Sequence, residues 1–520
     1  MAAGPPGPGT AADPPSPEEA ADPPSPGAAA DPPGPGAGDV GAPAPRNRYA
    51  DLLRVLAIGM VVLGHWLLTS ISYAGGQLSG ASAMADIGWS GWGTLLFQVM
   101  PVFFLVGGYA NAVSWTRHRA DGGTWASWVR HRAIRLLRPT TVFVAAAVIA
   151  VAVGRLAGAD PAELALAGWG IAIQLWFLPV YLLLIALTPA LHAAHRRWGL
   201  AVPAVAALAA AGVDAGLLGA GLAGLGYANY LLVWGSIHQW GFAWQDGTLT
   251  RRGPGRWRWR PWALAAAGAV TLACLLAWSP FDVDMVGTTG GRANNTIPPS
   301  VALLAFAAAQ AGLLLAAEPA MSRLLARGRL WAAVSWLNGR VLTVYLWHMV
   351  PVVVVAVALY PTGVLGQPPV GSGGWWALRL AWIAALAVVL VPVAIFLARF
   401  ERPLRRPAPP ARSPAELARS GQARSGLAPS LLAPAVLALG VAAAGVALTR
   451  IAVSGFAPDG SVPVTTIAGY AGGVALTLLA GRLAPGAPIW SRGLINDKLS
   501  VGSSIRRGRR DRLAGLRSRF

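Results

Sequence analysis

The sequence predicts an all-α fold: a polytopic membrane helix bundle, with a core of about ten spans and two additional transmembrane helices behind it. Three observations carry this reading. The chain of 520 residues has a mean hydropathy of +0.52, with 55% hydrophobic and only 12% charged residues; a soluble domain usually carries about 25% charged residues. Apolar runs close to 20 residues long, enough to cross a hydrocarbon core as a helix, recur along the chain. Basic residues collect in alternate connections between those runs, the positive-inside pattern of membrane proteins.

Residues 1–45 come first and hold no span. They repeat ADPPSP at 12–17 and 21–26 and ADPPGP at 30–35. Proline at this density builds neither a helix nor a sheet core, so a disordered, solvated tail is expected, without the start of a signal peptide. Spans then follow at 52–72, 90–114, 140–157, 171–191, 200–213, 228–246, 261–280, 300–317, 341–360, 375–398, 430–449 and 463–484. The connections 115–139, 192–199, 247–260, 318–340 and 399–429 and the tail 485–520 hold 6, 2, 5, 4, 7 and 9 Arg or Lys. The alternate connections hold Arg292 and Arg450. Both termini are therefore expected on the cytoplasmic face of the cell inner (plasma) membrane, with 73–89, 281–299 and 361–374 outside. The weakly hydrophobic fifth span is needed to keep this alternation. Gly212 and Gly216 in and after it form a GxxxG pair suited to close helix packing.

Several function classes fall away. The formal net charge is +20, but it sits between apolar spans, where topology explains it, so nucleic acid is not an expected partner. The lone cysteine, Cys274, cannot form an intramolecular disulfide or a cysteine-based metal cluster. GAGLAG at 219–224 matches a dinucleotide-binding pattern, but no strand precedes it.

Ionisable residues inside spans are functional candidates, because hydrocarbon tolerates them only beside a cavity or a partner. Arg54 and His65 are eleven residues apart, which returns nearly to the same helix face about 16 Å along the axis. That suits a phosphate binder at the mouth of a channel and a base at its floor; a packed histidine bonded to a backbone carbonyl would leave the same pattern. His238 and His348 also fall within spans, while His118, His131, His192 and His195 lie in basic loops and are expected to be solvated. No intramembrane carboxylate and no HxxxH pair accompanies the span histidines, so no metal is expected. In the loop WVRHRAIRLLRP at 128–139, Arg132 and Arg135 project from one face of a short helix. Paired guanidiniums can clamp a phosphate, though on these residues alone topogenic charge or contact with anionic lipid is the simpler reading.

Taken together, these segments resemble the acyltransferase 3 family of integral-membrane O-acyltransferases. The resemblance rests on RNRYADLLRVLAIGMVVLGHW at 46–66, MPVFFLVGGY at 100–109, VRHRAIRLLRP at 129–139, QLWFLPVYLLLIALTP at 174–189 and LNGRVLTVYLWHM at 337–349. NYLLVWGSIHQWGFAWQDG at 229–247 and MVGTTG with NNTIPPS, between 285 and 300, are similar to a bacterial subgroup. It spans residues 46–405, leaving a linker at 406–429, two additional helices within 430–484 and a basic cytoplasmic tail at 485–520. No GDS motif occurs in residues 406–520, and no second, esterase-like catalytic domain is expected.

The resemblance implies transfer of an acetyl or short-chain acyl group from acyl-CoA to a hydroxyl of a sugar, glycolipid or secondary metabolite. Acyl-CoA is the donor substrate, and no cofactor is bound permanently. It implies His65 as the base and Arg54, Arg132 and Arg135 as coenzyme-binding groups. Burial keeps an imidazole neutral and able to accept a proton. Donors for a developing oxyanion, or contacts to the acceptor, are sought among His348, Trp176, Asn338, Tyr345 and His238. Direct transfer and a covalent acyl-histidine both remain open. The competing reading is a multi-span transporter or flippase for a lipid-linked or polymeric substrate, which would more often show inverted repeats.

Overall fold

A computed structural model describes residues 47–250, 259–287, 293–401 and 431–483, with Met1 and Gly4. The expected disordered tail, Arg292, the linker 406–429 and the basic tail lie outside the described residues. Contacts divide the chain at Asn47, and the account below concerns the unit that begins at Arg48.

Helix α1, Arg48–Leu68, runs into a hairpin of β1, Thr69–Ala74, and β2, Gln77–Ser82, paired antiparallel with Thr69 opposite Ser82. Next come α2, Ser90–Phe97; α3, Met100–Ala120; α4, Trp125–Leu156; and α5, Pro161–Gly170. A 3-10 turn at Ile173–Trp176 leads into α6, Phe177–Trp198. Then follow α7, Ala201–Ala220; α8, Asn229–Gln245; α9, Arg260–Trp278; and α10, Val301–Leu324. The core closes with α11, Gly328–Asn338; α12, Val341–Trp347; α13, Val350–Leu359; and α14, Gly373–Glu401. The C-terminal pair is α15, Leu432–Ser454, and α16, Val464–Leu483.

Among the described residues, 10 helices are long and apolar enough to cross a membrane, or up to 11 if the bent pair α12–α13 is one span. The protein is thus a multi-pass membrane protein. Each predicted span overlaps a helix, but residues 69–72 of the first lie in β1, and 341–360 is the bent pair α12–α13. The predicted span 228–246 is the shorter α8, which is buried by other helices along most of its length. One expectation is corrected at α4: residues 125–139 are no loop but the first turns of a single 32-residue helix that carries Pro139 inside it.

Small residues set the tightest helix crossings, as expected where lipid removes the hydrophobic drive between helices. At Gly108 and Gly241 a Cβ would strike the backbone of the partner helix, so α3 and α8 meet backbone to backbone. Gly268 and Gly312 do the same for α9 and α10, and Gly440 and Gly473 for α15 and α16. The GxxxG expectation is corrected: Gly212 faces open space, and Gly216 meets the side chain of Leu225. The C-terminal pair packs on the core, with Tyr470 Oη 3.0 Å from Thr141 Oγ1, Phe456 edge-on to Phe143, and the Phe456 N–H donating to the Gly168 carbonyl.

Candidate functional site

The site forms where α1 meets the break between α12 and α13. Pro351 has no N–H for the carbonyl one turn back, so the helix cannot continue and bends by 41°. The break leaves carbonyls needing donors, which irregular backbone inside a bundle must find within the protein. Trp66 Nε1 donates to the His348 carbonyl at 2.7 Å, and Gln174 Nε2 reaches the Leu346 carbonyl at 3.3 Å. The Tyr345 hydroxyl in turn donates to the Gln174 carbonyl. These bonds fix His348, which is fully buried at the kink.

His65 lies 2.8 Å from His348, Nδ1 to Nε2. The ring centroids are 5.0 Å apart and the planes differ by 18°, so the imidazoles meet edge to edge, as a straight N–H···N bond requires. His348 Nδ1 is 2.7 Å from the Tyr345 carbonyl oxygen. A carbonyl only accepts, so His348 Nδ1 carries the proton and, in a neutral ring, Nε2 is the acceptor. His65 must then donate from Nδ1. Its Nε2 is left with a lone pair and no partner among the described residues, while the ring keeps accessible surface. The protons are assigned from the bond network. Both nitrogens of His348 are committed, and one nitrogen of His65 is free.

Toward the N-terminal end of α1 lies a group of arginines, called here the arginine side. Arg54 Nη1 donates to Asp51 Oδ1 at 3.3 Å, and Asn338 Nδ2 donates to the same oxygen at 3.1 Å. Arg132 Nη2 donates to the Asn111 amide oxygen at 2.7 Å and to the Ala110 carbonyl at 3.0 Å. Arg54 and Arg135 both repel its charge. Among the described residues only Arg54 of the three is paired with a carboxylate. With one carboxylate partner for three guanidiniums among the described residues, the group carries an excess of positive charge.

The structure brings the predicted Arg54, Arg132 and Arg135 together and places His348 against His65, with the Tyr345 carbonyl on the far nitrogen of His348 and the Tyr345 hydroxyl committed to Gln174. It keeps others apart from that ring. Asn338 is bonded to Asp51. His238 Nε2 accepts from the Asn111 amide at 3.1 Å, beside Arg132. Trp176 is half-buried against Phe177 and Trp234, and its indole N–H bonds no described residue. Two expectations are corrected. His195 is buried, not solvated, and pairs with Asp246 at 2.9 Å. A carboxylate does lie within a membrane helix: Asp214 of α7 is buried, accepting from Asn229 Nδ2 at 2.6 Å and the Val301 N–H at 2.7 Å. Sequence reasoning missed Asp51, Asn111 and Arg379, each a lone polar residue in or beside an apolar run.

Fold and site together define a multi-pass membrane protein that holds a histidine pair in the helix bundle, His348 buried and His65 partly open, with a cluster of cations toward one end of α1. A family description reading "acyltransferase domain" matches residues 47–399. The chain belongs to the acyltransferase 3 family, and it is an acyltransferase. No curated protein and no solved structure matches it.

Proposed function

We propose that this enzyme moves an acetyl or short-chain acyl group from acyl-CoA to a hydroxyl of a sugar, glycolipid or secondary metabolite, with His65 as general base. The observation that carries the proposal is the free Nε2 of His65 on a ring whose other nitrogen is held by His348. That nitrogen takes the proton as the acceptor oxygen attacks the thioester carbonyl carbon. The tetrahedral intermediate then collapses, the carbon–sulfur bond breaks, and the departing sulfur takes the proton back from Nε2. The products are an ester and free coenzyme A. Donation from His65 Nδ1 to His348 steadies the imidazolium that forms between the two steps, because His348 presents a lone pair there.

Arg54, Arg132 and Arg135 hold the coenzyme's phosphates, for which paired guanidiniums are suited. About 16 Å separates Arg54 from His65 along α1, the span the coenzyme's pantetheine arm must cover. In this proposal the arginine side faces the cytoplasm, where acyl-CoA resides, in the plasma membrane. The fixed imidazole pair favours chemistry over transport, since a carrier has no need of a base with one engineered lone pair. The test is coenzyme A release from acetyl-CoA by the purified protein, with a cell extract as acceptor. His65→Ala is expected to lower turnover by roughly 100- to 10,000-fold, the usual weight of a general base. Unchanged turnover in a folded variant would remove His65 from the reaction.

A further inference from the structure

Arg379 of α14 is 4% exposed, a cation placed almost out of water inside a membrane helix. Such a placement is costly unless a partner compensates it, and no described carboxylate pairs with it. Its guanidinium lies 4.1 Å from the ring centroid of Trp375 and 5.7 Å from that of Trp382. Two indole faces offset part of the cost and fix the plane of the group. Nη1 donates to the Thr69 carbonyl at 2.9 Å. Nε is buried with no acceptor, and Nη2 finds none among the described residues. Nε–H and Nη2–H lie side by side along one edge of the guanidinium. That unused edge is the fork that meets two oxygens of a carboxylate or phosphate.

The fork lies next to the proposed chemistry. Thr69 is one turn beyond His65, about 6 Å along the axis, and its hydroxyl donates to the His65 carbonyl at 2.7 Å. Trp382 Nε1 donates to the Trp66 carbonyl at 3.1 Å, and Trp66 Nε1 holds His348. Arg379 is thus one layer from the imidazole pair, on the hairpin side, opposite the arginine cluster. We infer that Arg379 anchors a single anionic group, a phosphate or carboxylate, on the acceptor whose hydroxyl is acylated. This rests on the acyl-transfer reading for the role of the anion, though not for its binding. A tether role alone, in which Arg379 only ties the hairpin to α14, uses Nη1 and leaves the fork without purpose.

The experiment titrates inorganic phosphate by calorimetry into the full chain in phosphatidylcholine nanodiscs, with coenzyme A saturating so that the arginine cluster is filled. The wild type is expected to bind phosphate, and Arg379→Gln to weaken it about tenfold or more, the loss expected for charge-assisted hydrogen bonds. Arg379→Lys keeps the charge without the fork and is expected to fall between the two; it also serves if the Gln variant does not fold. No phosphate binding by the wild type overturns the inference. So does equal binding by either folded variant that still binds coenzyme A. A second arm replaces part of the lipid with phosphatidylglycerol. Weaker phosphate binding there assigns the anion to a lipid-borne acceptor, and unchanged binding to a soluble one. If His65→Ala keeps full turnover while Arg379→Gln loses phosphate, the anion site stands and the acyl-transfer reading falls.

Discussion

The two ends of the site both carry arginine, one beside solvent and the other closed off from it. On the arginine side, Arg54 bonds Asp51, Arg132 bonds Asn111, and Arg54 and the exposed Arg135 both repel the charge of Arg132. On the hairpin side, Arg379 stands alone between two tryptophans with one fork edge unused. A group of like charges beside solvent suits a ligand with several negative charges. A single cation held flat by indoles suits one anionic group in one orientation. The imidazole pair lies between them. The contrast teaches that polarity across the bundle, more than any one residue, separates the place of the donor from the place of the acceptor.

The largest break in this arrangement is expected at the pair itself. His348→Leu removes the acceptor for His65 Nδ1 and frees the ring to turn, and kcat should fall roughly 100- to 1,000-fold with both KM values little changed. His348→Gln offers an amide oxygen in its place and should recover about tenfold of that loss; equal activity of the two variants would leave His348 a packing residue. Next in size is the double change Arg132→Gln with Arg135→Gln. It should raise the KM for acetyl-CoA about 100-fold, from two lost charge-assisted contacts, without moving the acceptor KM. Arg379→Gln should do the reverse, raising the acceptor KM about tenfold and sparing the donor. If both variants shifted the same KM, the two ends would not be distinct. The smallest effect is expected from Asn111→Ala, which takes an oxygen from Arg132 and should raise the donor KM a few-fold, read in the same assay.

Much of this was legible in the sequence. The spans follow from hydropathy, and the spacing of Arg54 and His65 on one face of α1 follows from helix geometry alone. His348 stood out as an imidazole in an apolar run. That it would meet His65 across 283 positions of chain was not legible, because periodicity assigns faces within a helix and says nothing about which helices touch. Asp51 and Asn111 were missed for the same reason: each matters through a tertiary partner. Arg379 was passed over because charge was counted in the connections and it lies inside a span. In the sequence His195 falls in a basic connection, which points to solvent; its own ring turns inward to Asp246, just past the end of α8. The small-residue pattern was read at Gly212, whereas the close crossings use single glycines paired between helices, such as Gly108 with Gly241.

Everything about the proposed chemistry depends on where two protons sit in the chain from the Tyr345 carbonyl through His348 to His65. Nitrogen-15 NMR of histidine-labelled protein in lipid, with His65 and His348 assigned by single substitution, reads those positions directly. The account predicts both rings neutral and protonated at Nδ1, with Nε2 of His65 bare. A proton on Nε2 of His65, or on Nε2 of His348, would contradict it.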